Sequence, residues 1–184
     1  MDISLIITTY NWKEALGVSL TSVLAQTVSP CEVIVADDGS RPDTGELVRR
    51  VAAEASVPVI HSWQEDRGFR LAMSRNRAIA RARGAYIALI AGDIILDHRF
   101  IEDHRDFARP SHFVQGTRVL LGPELSDQVL ASGELGRPLL ARGVENRKNC
   151  VRALLLARLF SFRSRRLPGV KTCNFAFWRE DALA

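Results

Sequence analysis

The chain of 184 residues is 47% hydrophobic and 25% charged, a balance that is typical of a soluble globular domain and argues against a disordered or fibrous chain. No apolar run approaches the roughly 18 residues that a membrane-spanning helix needs, and the first residues lack the pattern of a signal peptide. Three cysteines without C-x-x-C spacing argue against a disulfide framework or a zinc site and favour a reducing cytosol. The net charge of +4 is uneven, because residues 137–171 hold ten basic side chains and one acidic side chain.

Apolar runs of strand length alternate with helical periodicity in the first half of the chain. Continuous apolar runs predict four buried strands, at residues 3–8, 31–36, 57–61 and 86–90. Apolar residues at helical spacing predict three intervening helices, at residues 13–26, around 47–52 and at 71–83. Gly84 follows the last of these helices and is predicted to cap it. The alternation predicts an α/β fold with a Rossmann-like, mostly parallel sheet and helices on both faces.

The pattern weakens after Phe100. It predicts a strand within 113–121, a loop with a short helix at 126–142, a basic helix at 146–162 and a strand at 172–178. No repeat, low-complexity tract or linker divides the chain, so residues 1–184 are interpreted as a single domain.

Polar segments follow all four strands predicted in the first half: 8–11 (TTYN), 37–40 (DDGS), 64–68 (QEDRG) and 92–93 (GD). Ligands of open α/β sheets bind at the carboxyl ends of the strands, so these segments are the first candidates for a site. Turn chemistry alone explains any one polar loop about as well, but it explains four at one edge less well. The hydroxyls, aromatic ring and amide of the first segment suit a base and a ribose, and the glycine-rich fingerprints of dehydrogenases and P-loop enzymes are absent.

Four blocks resemble the family 2 inverting glycosyltransferases of the GT-A fold, in order and spacing across essentially the whole chain: ISLIITTYN (3–11), QTVSPCEVIVADDGS (26–40), SRNRAIARARGAYIALIAGD (74–93) and KTCNFAFWREDAL (171–183). The last block is similar to the acceptor-side motif of galactosyltransferase-like and polysaccharide- or lipopolysaccharide-synthesising members. The resemblance implies a nucleotide-sugar-binding half at 1–97 and an acceptor-side half at 98–184.

The resemblance also implies roles for individual residues. Thr8 and Tyr10 would line the nucleotide pocket, and Asp38 would accept a hydrogen bond from the base, a uracil imide N–H if the donor is a UDP-sugar. Arg75 would approach the base or the diphosphate. The expected donor is therefore a nucleotide-sugar, with a UDP-sugar favoured, and the expected acceptor is a glycan or a lipid-linked glycan.

Residues 91–93 stand where the family has an Asp-x-Asp motif, which holds Mn²⁺ or Mg²⁺ against the donor diphosphate. Such a cation acts as a Lewis acid on the leaving group, and oxygen ligands suit it. Gly92 and Asp93 keep the motif, but Ala91 replaces the first acid. Three explanations are open: an introduced Asp→Ala change that inactivates the site, a natural departure in which Asp93 alone or with Asp97 holds the metal, and a degenerate copy that binds without turnover. We favour the first as a hypothesis, because the flanking residues keep the pattern.

Inverting transfer also needs a general base that takes the proton from the acceptor hydroxyl. Glu180 and Asp181 form a carboxylate pair, but they resemble the helix start that precedes the family's base motif, and acids are favoured in a first helical turn in any case. They are weak candidates, and we expect the natural chain to continue past Ala184 and to carry the base there.

Other features of the second half each have two interpretations. The basic, leucine-rich segment 146–169 favours contact with an anionic membrane surface over a core helix with a solvated face, so we expect a cytoplasmic protein, peripheral at the inner face of the membrane. No module for binding nucleic acid is recognisable. His98 and His104 are not at helical i, i+4 spacing, so we expect a surface helix rather than a metal cluster. Trp178 is interpreted as a packing residue, with stacking on an acceptor sugar as the alternative.

The leading hypothesis is a metal-assisted, inverting glycosyltransferase of cell-surface polysaccharide or lipopolysaccharide synthesis. The alternative is a non-catalytic nucleotide-sugar-binding module, which Ala91 would suit. A nucleotidyltransferase is disfavoured, because no glycine-rich phosphate loop with Arg or Lys follows the first strand. An acid restored at position 91 should raise metal-dependent transfer only if the chain is an enzyme.

Overall fold

The computed structural model describes residues 1–134, 141–150, 152–153, 157, 159, 161 and 170–183. Strands and helices alternate in the first half, as predicted: β1 (Ile3–Thr9), α1 (Lys13–Leu24), β2 (Glu32–Asp37), α2 (Pro42–Glu54), β3 (Val59–Trp63), α3 (Leu71–Arg81) and β4 (Tyr86–Ala91). The elements of the second half are shorter: α4 (Phe100–Phe107), β5 (Val114–Gln115), β6 (Leu120–Leu121), α5 (Pro123–Ser132), β7 (Val144–Glu145), a 3₁₀ helix (Arg147–Cys150), β8 (Asn174–Trp178) and α6 (Arg179–Leu183).

The main sheet has the strand order β3-β2-β1-β4-β8-β5. β1, β2, β3 and β4 run parallel, whereas β8 runs antiparallel to its neighbours β4 and β5. The predicted mostly parallel sheet is confirmed, and the four parallel strands place their carboxyl ends at one edge. β6 and β7 pair with each other in a separate two-stranded sheet.

Helices cover both faces of the sheet, which is why β1 and β2 are buried along their whole length. On one face, Leu5 packs in a cluster with Leu16 of α1 and Phe100 of α4. On the other face, Ile6 packs in a cluster with Ala78 of α3. Full burial of an aliphatic side chain contributes about 1.5–3 kcal/mol, so this two-sided core holds rigid the strands that carry the polar loops.

A buried acid ties the amino-terminal edge of the sheet together. Glu32 accepts hydrogen bonds from Ser4 Oγ (2.6 Å) and from the backbone N of Arg83 (2.6 Å). Burial alone would raise the pKa of Glu32, but its bonds to Ser4 and Arg83 outweigh burial and hold that pKa below its ordinary value. Gly84 also belongs to this cluster, because a Cβ there would lie 2.6 Å from the backbone N of Ser4. The predicted capping role of Gly84 is wrong, since α3 already ends at Arg81 and glycine serves this close approach instead.

The second half departs from the predicted elements in three places. The strand predicted within 113–121 is two separate two-residue strands, which belong to different sheets. The short helix predicted within 126–142 begins earlier, as the ten-residue helix α5, and is capped after Ser132 by Gly133, which has a left-handed φ of +75°. The basic helix predicted at 146–162 begins as a 3₁₀ helix, and most of the remainder lies outside the described residues. Among the helices that the structure describes, none combines the length and apolarity that crossing a bilayer requires.

Candidate functional site

The carboxyl ends of the four parallel strands lie side by side at one edge of the sheet. Thr8 of β1 pairs with Ala91 of β4, and Thr9 pairs with Asp37 of β2. Asp37 pairs in turn with Trp63 at the end of β3. The four polar segments that follow these strands are therefore neighbours in space, as the topology of the predicted sheet requires.

Reciprocal hydrogen bonds join the first two segments, 8–11 and 37–40. Asn11 has a left-handed φ of +49°, and its backbone N donates to Ser40 Oγ (2.9 Å). The Asn11 side-chain Oδ1 accepts a hydrogen bond from the backbone N of Arg41 (2.9 Å). Asparagine visits the left-handed region more readily than most residues. The two sequence motifs thus form one structural unit.

Asp37 is the buried anchor of the turn after β2. Its Oδ1 accepts hydrogen bonds from the backbone N of Gly39 (3.2 Å) and Ser40 (2.8 Å), and its Oδ2 lies 2.8 Å from Nε2 of His61 on β3. Burial alone would raise the pKa of Asp37, but the hydrogen bonds from His61 and Ser40 outweigh burial and leave that pKa below its ordinary value. Asp37 therefore shapes the turn as an ionised group and is not itself free to bind a ligand.

Asp38 points its carboxylate toward the segment between β3 and α3. Gln64 Nε2 donates to Oδ1 (2.5 Å), and the backbone N of Arg70 donates to Oδ2 (2.8 Å). Asp38 is 3% exposed. Each carboxylate oxygen has a second lone pair, so Asp38 keeps acceptor capacity for a ligand at the base of the cleft.

Gly39 lets the loop after β3 pack onto the turn after β2. Its φ is +104°, and a Cβ there would lie 2.5 Å from Cα of Asp66. A side chain at position 39 would therefore push the two loops apart. Glycine at this position brings Gln64 within reach of Asp38.

Four buried polar atoms on the segment that leads from β3 into α3 have no hydrogen-bond partner within the described part of the chain: Gln64 Oε1, Arg70 Nε, Ser74 Oγ and Arg75 Nε. Buried polar atoms of native proteins are nearly always paired with protein, water or ligand. Burial also lowers the pKa of the Arg75 guanidinium. This concentration of donors, with one amide acceptor, fits a polar and negatively charged ligand.

Thr8 and Tyr10 both lie at this edge but differ in what they offer a ligand. The Tyr10 ring is half exposed, and its hydroxyl donates to Asp66 Oδ2 (2.9 Å), a bond that raises the pKa of Tyr10. The ring is therefore available for stacking on a planar group. Thr8 is buried, and its hydroxyl donates to the backbone O of Ile90 (3.3 Å), so that hydroxyl ties β1 to β4.

β4 ends in a close turn that exposes Asp93. The backbone N of Gly92 donates to the backbone O of Thr8 (2.8 Å), and a Cβ at Gly92 would lie 2.9 Å from that oxygen. Asp93 follows with an exposed carboxylate, which makes no hydrogen bond or ion pair with any other residue that the structure describes. This carboxylate is free to bind a cation.

Glu180 and Asp181 lie at the opposite edge of the sheet. β8 runs antiparallel to β4 and ends at Trp178, which pairs with Tyr86 at the start of β4. α6, with the two acids in its first turn, begins directly after Trp178. A general base must come within hydrogen-bond reach of the proton it takes, so the suggestion that either acid is the base does not fit this structure.

Trp178 is a packing residue, as the simpler interpretation predicts. Its ring meets that of Tyr86 edge to face at a centroid distance of 5.2 Å, and its Nε1 donates to the backbone O of Arg109 (2.6 Å). Because it lies at the edge opposite Asp93, the alternative of stacking on an acceptor sugar beside the donor is wrong.

The start of β8, by contrast, lies beside the site, because Asn174 pairs with Ile90 near the carboxyl end of β4. The Asn174 side-chain Oδ1 lies 3.0 Å from Nε2 of His104 on α4. His104 is buried, and it packs edge to face on Phe100 at 4.4 Å. α4 is a surface helix, as expected, but His104 lies on its buried face. Its i, i+4 spacing from the apolar Phe100 was the available signal.

The sequence model of glycosyl transferase family 2 matches residues 4–167. The chain belongs to glycosyl transferase family 2. Among curated relatives of this family 2 chain, the chondroitin synthase of Escherichia coli is 29% identical over 122 residues, which are 66% of the chain and 17% of that protein. The E. coli UDP-Glc:alpha-D-GlcNAc-diphosphoundecaprenol beta-1,3-glucosyltransferase WfaP is 30% identical over 91 residues, which are 50% of the chain and 35% of that protein. The chain thus spans about a third or less of the length of these relatives.

Solved structures agree with the family. S. aureus TarS 1–349 in complex with UDP-GlcNAc is 26% identical with a TM-score of 0.52, over 66% of this chain and 34% of that chain. The mannosyltransferase PcManGT from Pyrobaculum calidifontis, in complex with GDP-Man and Mn²⁺, is 22% identical with a TM-score of 0.54, over 93% of this chain and 49% of that chain. These likenesses confirm the α/β fold of GT-A glycosyltransferases.

The fold implies a divalent cation at the donor diphosphate, and the residues at the end of β4 fit one only in part. Within the described residues, no group of three or more His, Cys, Asp or Glu side chains could hold a metal ion. Asp97 is exposed, and although its Oδ1 accepts a hydrogen bond from the backbone N of Arg99 (2.9 Å), its carboxylate keeps further acceptor capacity, so the sharing of a cation between Asp93 and Asp97 stays a prediction. Asp93 alone fits a cation that takes its other ligands from diphosphate and water, as Mg²⁺ commonly does.

Proposed function

We propose that this family 2 domain is an inverting glycosyltransferase that uses a UDP-sugar and serves the synthesis of a cell-surface polysaccharide or lipopolysaccharide. The observation that carries the proposal is the set of unpartnered buried polar atoms on 64–75, a segment that contacts the Asp38 carboxylate through Gln64 and Arg70. Support also comes from relatives whose names include a chondroitin synthase and a UDP-Glc-dependent glucosyltransferase, and from TarS in complex with UDP-GlcNAc.

Asp38 would recognise the nucleotide base. Gln64 and Arg70 fix its carboxylate from the protein side, so the remaining lone pairs are oriented before any ligand binds. A uracil imide N–H is a donor that suits this acceptor, and the buried Gln64 Oε1 is a second acceptor nearby. The half-exposed ring of Tyr10 would stack on the base.

Arg75 and Asp93 would serve the diphosphate. The leaving group gains negative charge as its bond to the sugar breaks, and a guanidinium with no carboxylate partner among the described residues stabilises that charge. A divalent cation bound between Asp93 and the diphosphate would add Lewis-acid stabilisation. The acceptor hydroxyl would attack the anomeric carbon from the side opposite the diphosphate, which inverts the configuration as the bond to the nucleoside diphosphate breaks. The proton of the hydroxyl would pass to a general base.

Calorimetric titration of UDP, with and without Mn²⁺, tests the proposal on this chain and on the Ala91→Asp variant. We expect UDP to bind both proteins and Mn²⁺ to tighten the binding, with the larger effect in the variant because a second carboxylate completes the metal site. ADP serves as the control nucleotide, since adenine lacks the imide N–H that Asp38 would accept. Failure of both proteins to bind UDP, with and without Mn²⁺, would contradict the proposal.

A non-catalytic nucleotide-sugar-binding module is the second candidate, and Ala91 favours it because the protein supplies only one carboxylate at the end of β4. Release of free sugar from UDP-Glc and UDP-GlcNAc in the presence of Mn²⁺ separates the two candidates. An enzyme should gain activity on Ala91→Asp substitution, because the leaving group is then better stabilised. A pure binding module should gain affinity for Mn²⁺ and UDP but no turnover.

A further inference from the structure

Cys173 directly precedes β8, at the end of that strand which lies beside the carboxyl end of β4. The antiparallel register of β4 and β8 pairs Ile90 with Asn174, and continuing this register by one residue would bring Cys173 opposite Ala91. The position at which the family has its first acid therefore has the segment before β8 as its neighbour.

Two arginines approach Cys173 from different elements. Arg118, in the loop between β5 and β6, donates from Nη1 to Cys173 Sγ at 2.6 Å. Arg75, on α3, is close enough to Cys173 for an electrostatic interaction. Within the described residues neither arginine has a carboxylate partner, and Arg75 Nε is buried without any hydrogen-bond partner.

This arrangement calls for an anion. Arg75 is partly buried, and a partly buried cation without a counter-charge is costly, whereas the exposed Arg118 adds a second positive charge beside the same thiol. A diphosphate carries several negative charges, and its oxygens match the planar donor geometry of guanidinium groups. An acid at position 91 would have recruited a cation for the same diphosphate. Because position 91 is Ala, the positive charge available to the diphosphate here comes from Arg118 and Arg75 rather than from a cation bound by an acid at this position.

We infer that Arg118, together with Arg75 across Cys173, binds the diphosphate of the donor directly, so that this chain holds a nucleoside diphosphate without a metal ion. The inference rests on the proposed function, because its ligand is the diphosphate of the proposed donor. A cation at Asp93 then adds to an affinity that the two arginines already provide.

The test compares UDP with uridine by calorimetry in EDTA, on the unaltered chain and on Arg118→Gln. The ratio of the two dissociation constants isolates the diphosphate. We expect UDP to bind at least about tenfold more tightly than uridine, and Arg118→Gln to remove most of this difference, since a hydrogen bond to a charged group is worth about tenfold or more. Uridine binding should stay unchanged, and Arg118→Lys should keep part of the preference. Arg50→Gln, an exposed arginine on α2, is the matched control and should have no effect.

Two outcomes overturn the inference in distinguishable ways. If UDP binds but Arg118→Gln leaves the ratio of UDP to uridine affinity unchanged, the arginine pair is wrong and the proposed function stands. If neither uridine nor UDP binds in EDTA or Mn²⁺, the proposed function fails and this inference fails with it. Inorganic diphosphate should displace UDP from the unaltered chain and not from Arg118→Gln if the site recognises the diphosphate itself.

The Ala91→Asp variant gives an independent check, because an acid beside Cys173 would pair with Arg118 and compete with the diphosphate. We expect this variant to bind UDP more weakly than the unaltered chain in EDTA and more tightly in Mn²⁺. Equal affinity of the two proteins for UDP in EDTA would contradict a direct contact between Arg118 and the diphosphate.

Discussion

Asp37 holds the turn after β2 through a buried charge, and the cost of losing it can be predicted. Asp37→Ala removes the acceptor of Gly39, Ser40 and His61 together, so we expect the free energy of unfolding to fall by about 2–4 kcal/mol. Urea titration followed by circular dichroism measures this loss. A loss below about 1 kcal/mol would show that water replaces the carboxylate at little cost.

The same residue gives the protein an acid-sensitive contribution to stability. Because the folded pKa of Asp37 lies below its unfolded value, the contribution is complete above the ordinary carboxyl pKa and is lost as the pH falls through the folded pKa. Asp37→Asn should therefore flatten the decline in stability below about pH 4. Asp127→Asn, at an exposed position on α5, is the matched control and should leave the decline unchanged.

Gly39 should be intolerant of any side chain, for a reason separate from its backbone angle. Gly39→Ala places a Cβ 2.5 Å from Cα of Asp66, and this contact must push the loop after β3 away from Asp38. We expect the substitution to lower the melting temperature and to abolish UDP binding. Gly133→Ala is the matched control, because Gly133 also has a positive φ but nothing within 4 Å of the added Cβ. Its cost should be limited to about 1 kcal/mol of backbone strain, with UDP binding intact.

Local sequence identified Asp38 but not the residues that orient it. Asp38 follows a buried strand, and an acid at such a strand end is visible from chain order alone. Its contacts with Gln64 and Arg70 depend on the pairing of β2 with β3 and on the close packing at Gly39, which are long-range facts. The link between Arg118 and Cys173 depends likewise on a loop distant in sequence from β8.

At the scale of elements, a buried histidine adds a polar link between α4 and β8 to their shared apolar packing. Burial lowers the pKa of His104, although the bond to Asn174 and the nearby charge of Asp103 oppose this shift. As the pH falls, His104 is therefore protonated at a higher pH in the unfolded chain than in the folded chain. Stability should be complete above about pH 6.5 and should decline as the pH falls below it, by at most about 1.4 kcal/mol per pH unit.

His104→Gln should remove this decline while it keeps a polar group near Asn174. Thermal melting between pH 5 and pH 8 provides the measurement. His98→Gln, at an exposed position two residues before α4 begins, is the matched control and should leave the pH dependence of stability unchanged. An unchanged decline in His104→Gln would place the proton uptake on another group.

The sequence predicted the longer strands, but it predicted neither the two-residue strands nor the direction of β8. β1, β2 and β4 are buried almost throughout, so their apolar runs are long enough to recognise. β5, β6 and β7 have two residues each, too few for any period to show. β8 was predicted as a strand, but its antiparallel direction is absent from its own residues. That direction carries Glu180 and Asp181 away from the donor edge.

For the whole molecule, the uneven charge is the feature with a measurable consequence. Residues 137–171 carry ten basic side chains and one acidic one, while the chain as a whole has a net charge of only +4. The segment 146–169, proposed to contact a membrane at the cytosolic face, lies mostly outside the described residues. Its charge still follows from the sequence, and each Lys or Arg near an anionic bilayer contributes about 1 kcal/mol of attraction.

We therefore expect the chain to sediment with vesicles that contain phosphatidylglycerol at low salt and to be released at high salt, since salt screens such attraction. It should not sediment with vesicles of phosphatidylcholine, which carry no net charge. Replacement of Arg163, Arg165 and Arg166 by Gln should remove most of this binding. Replacement of Arg49, Arg50 and Arg77 by Gln removes the same amount of charge from exposed positions of α2 and α3 and should leave vesicle binding unchanged. Equal losses of vesicle binding in the two triple variants would mean that binding depends on net charge alone. That result would contradict a specific contact between the segment 146–169 and a membrane surface.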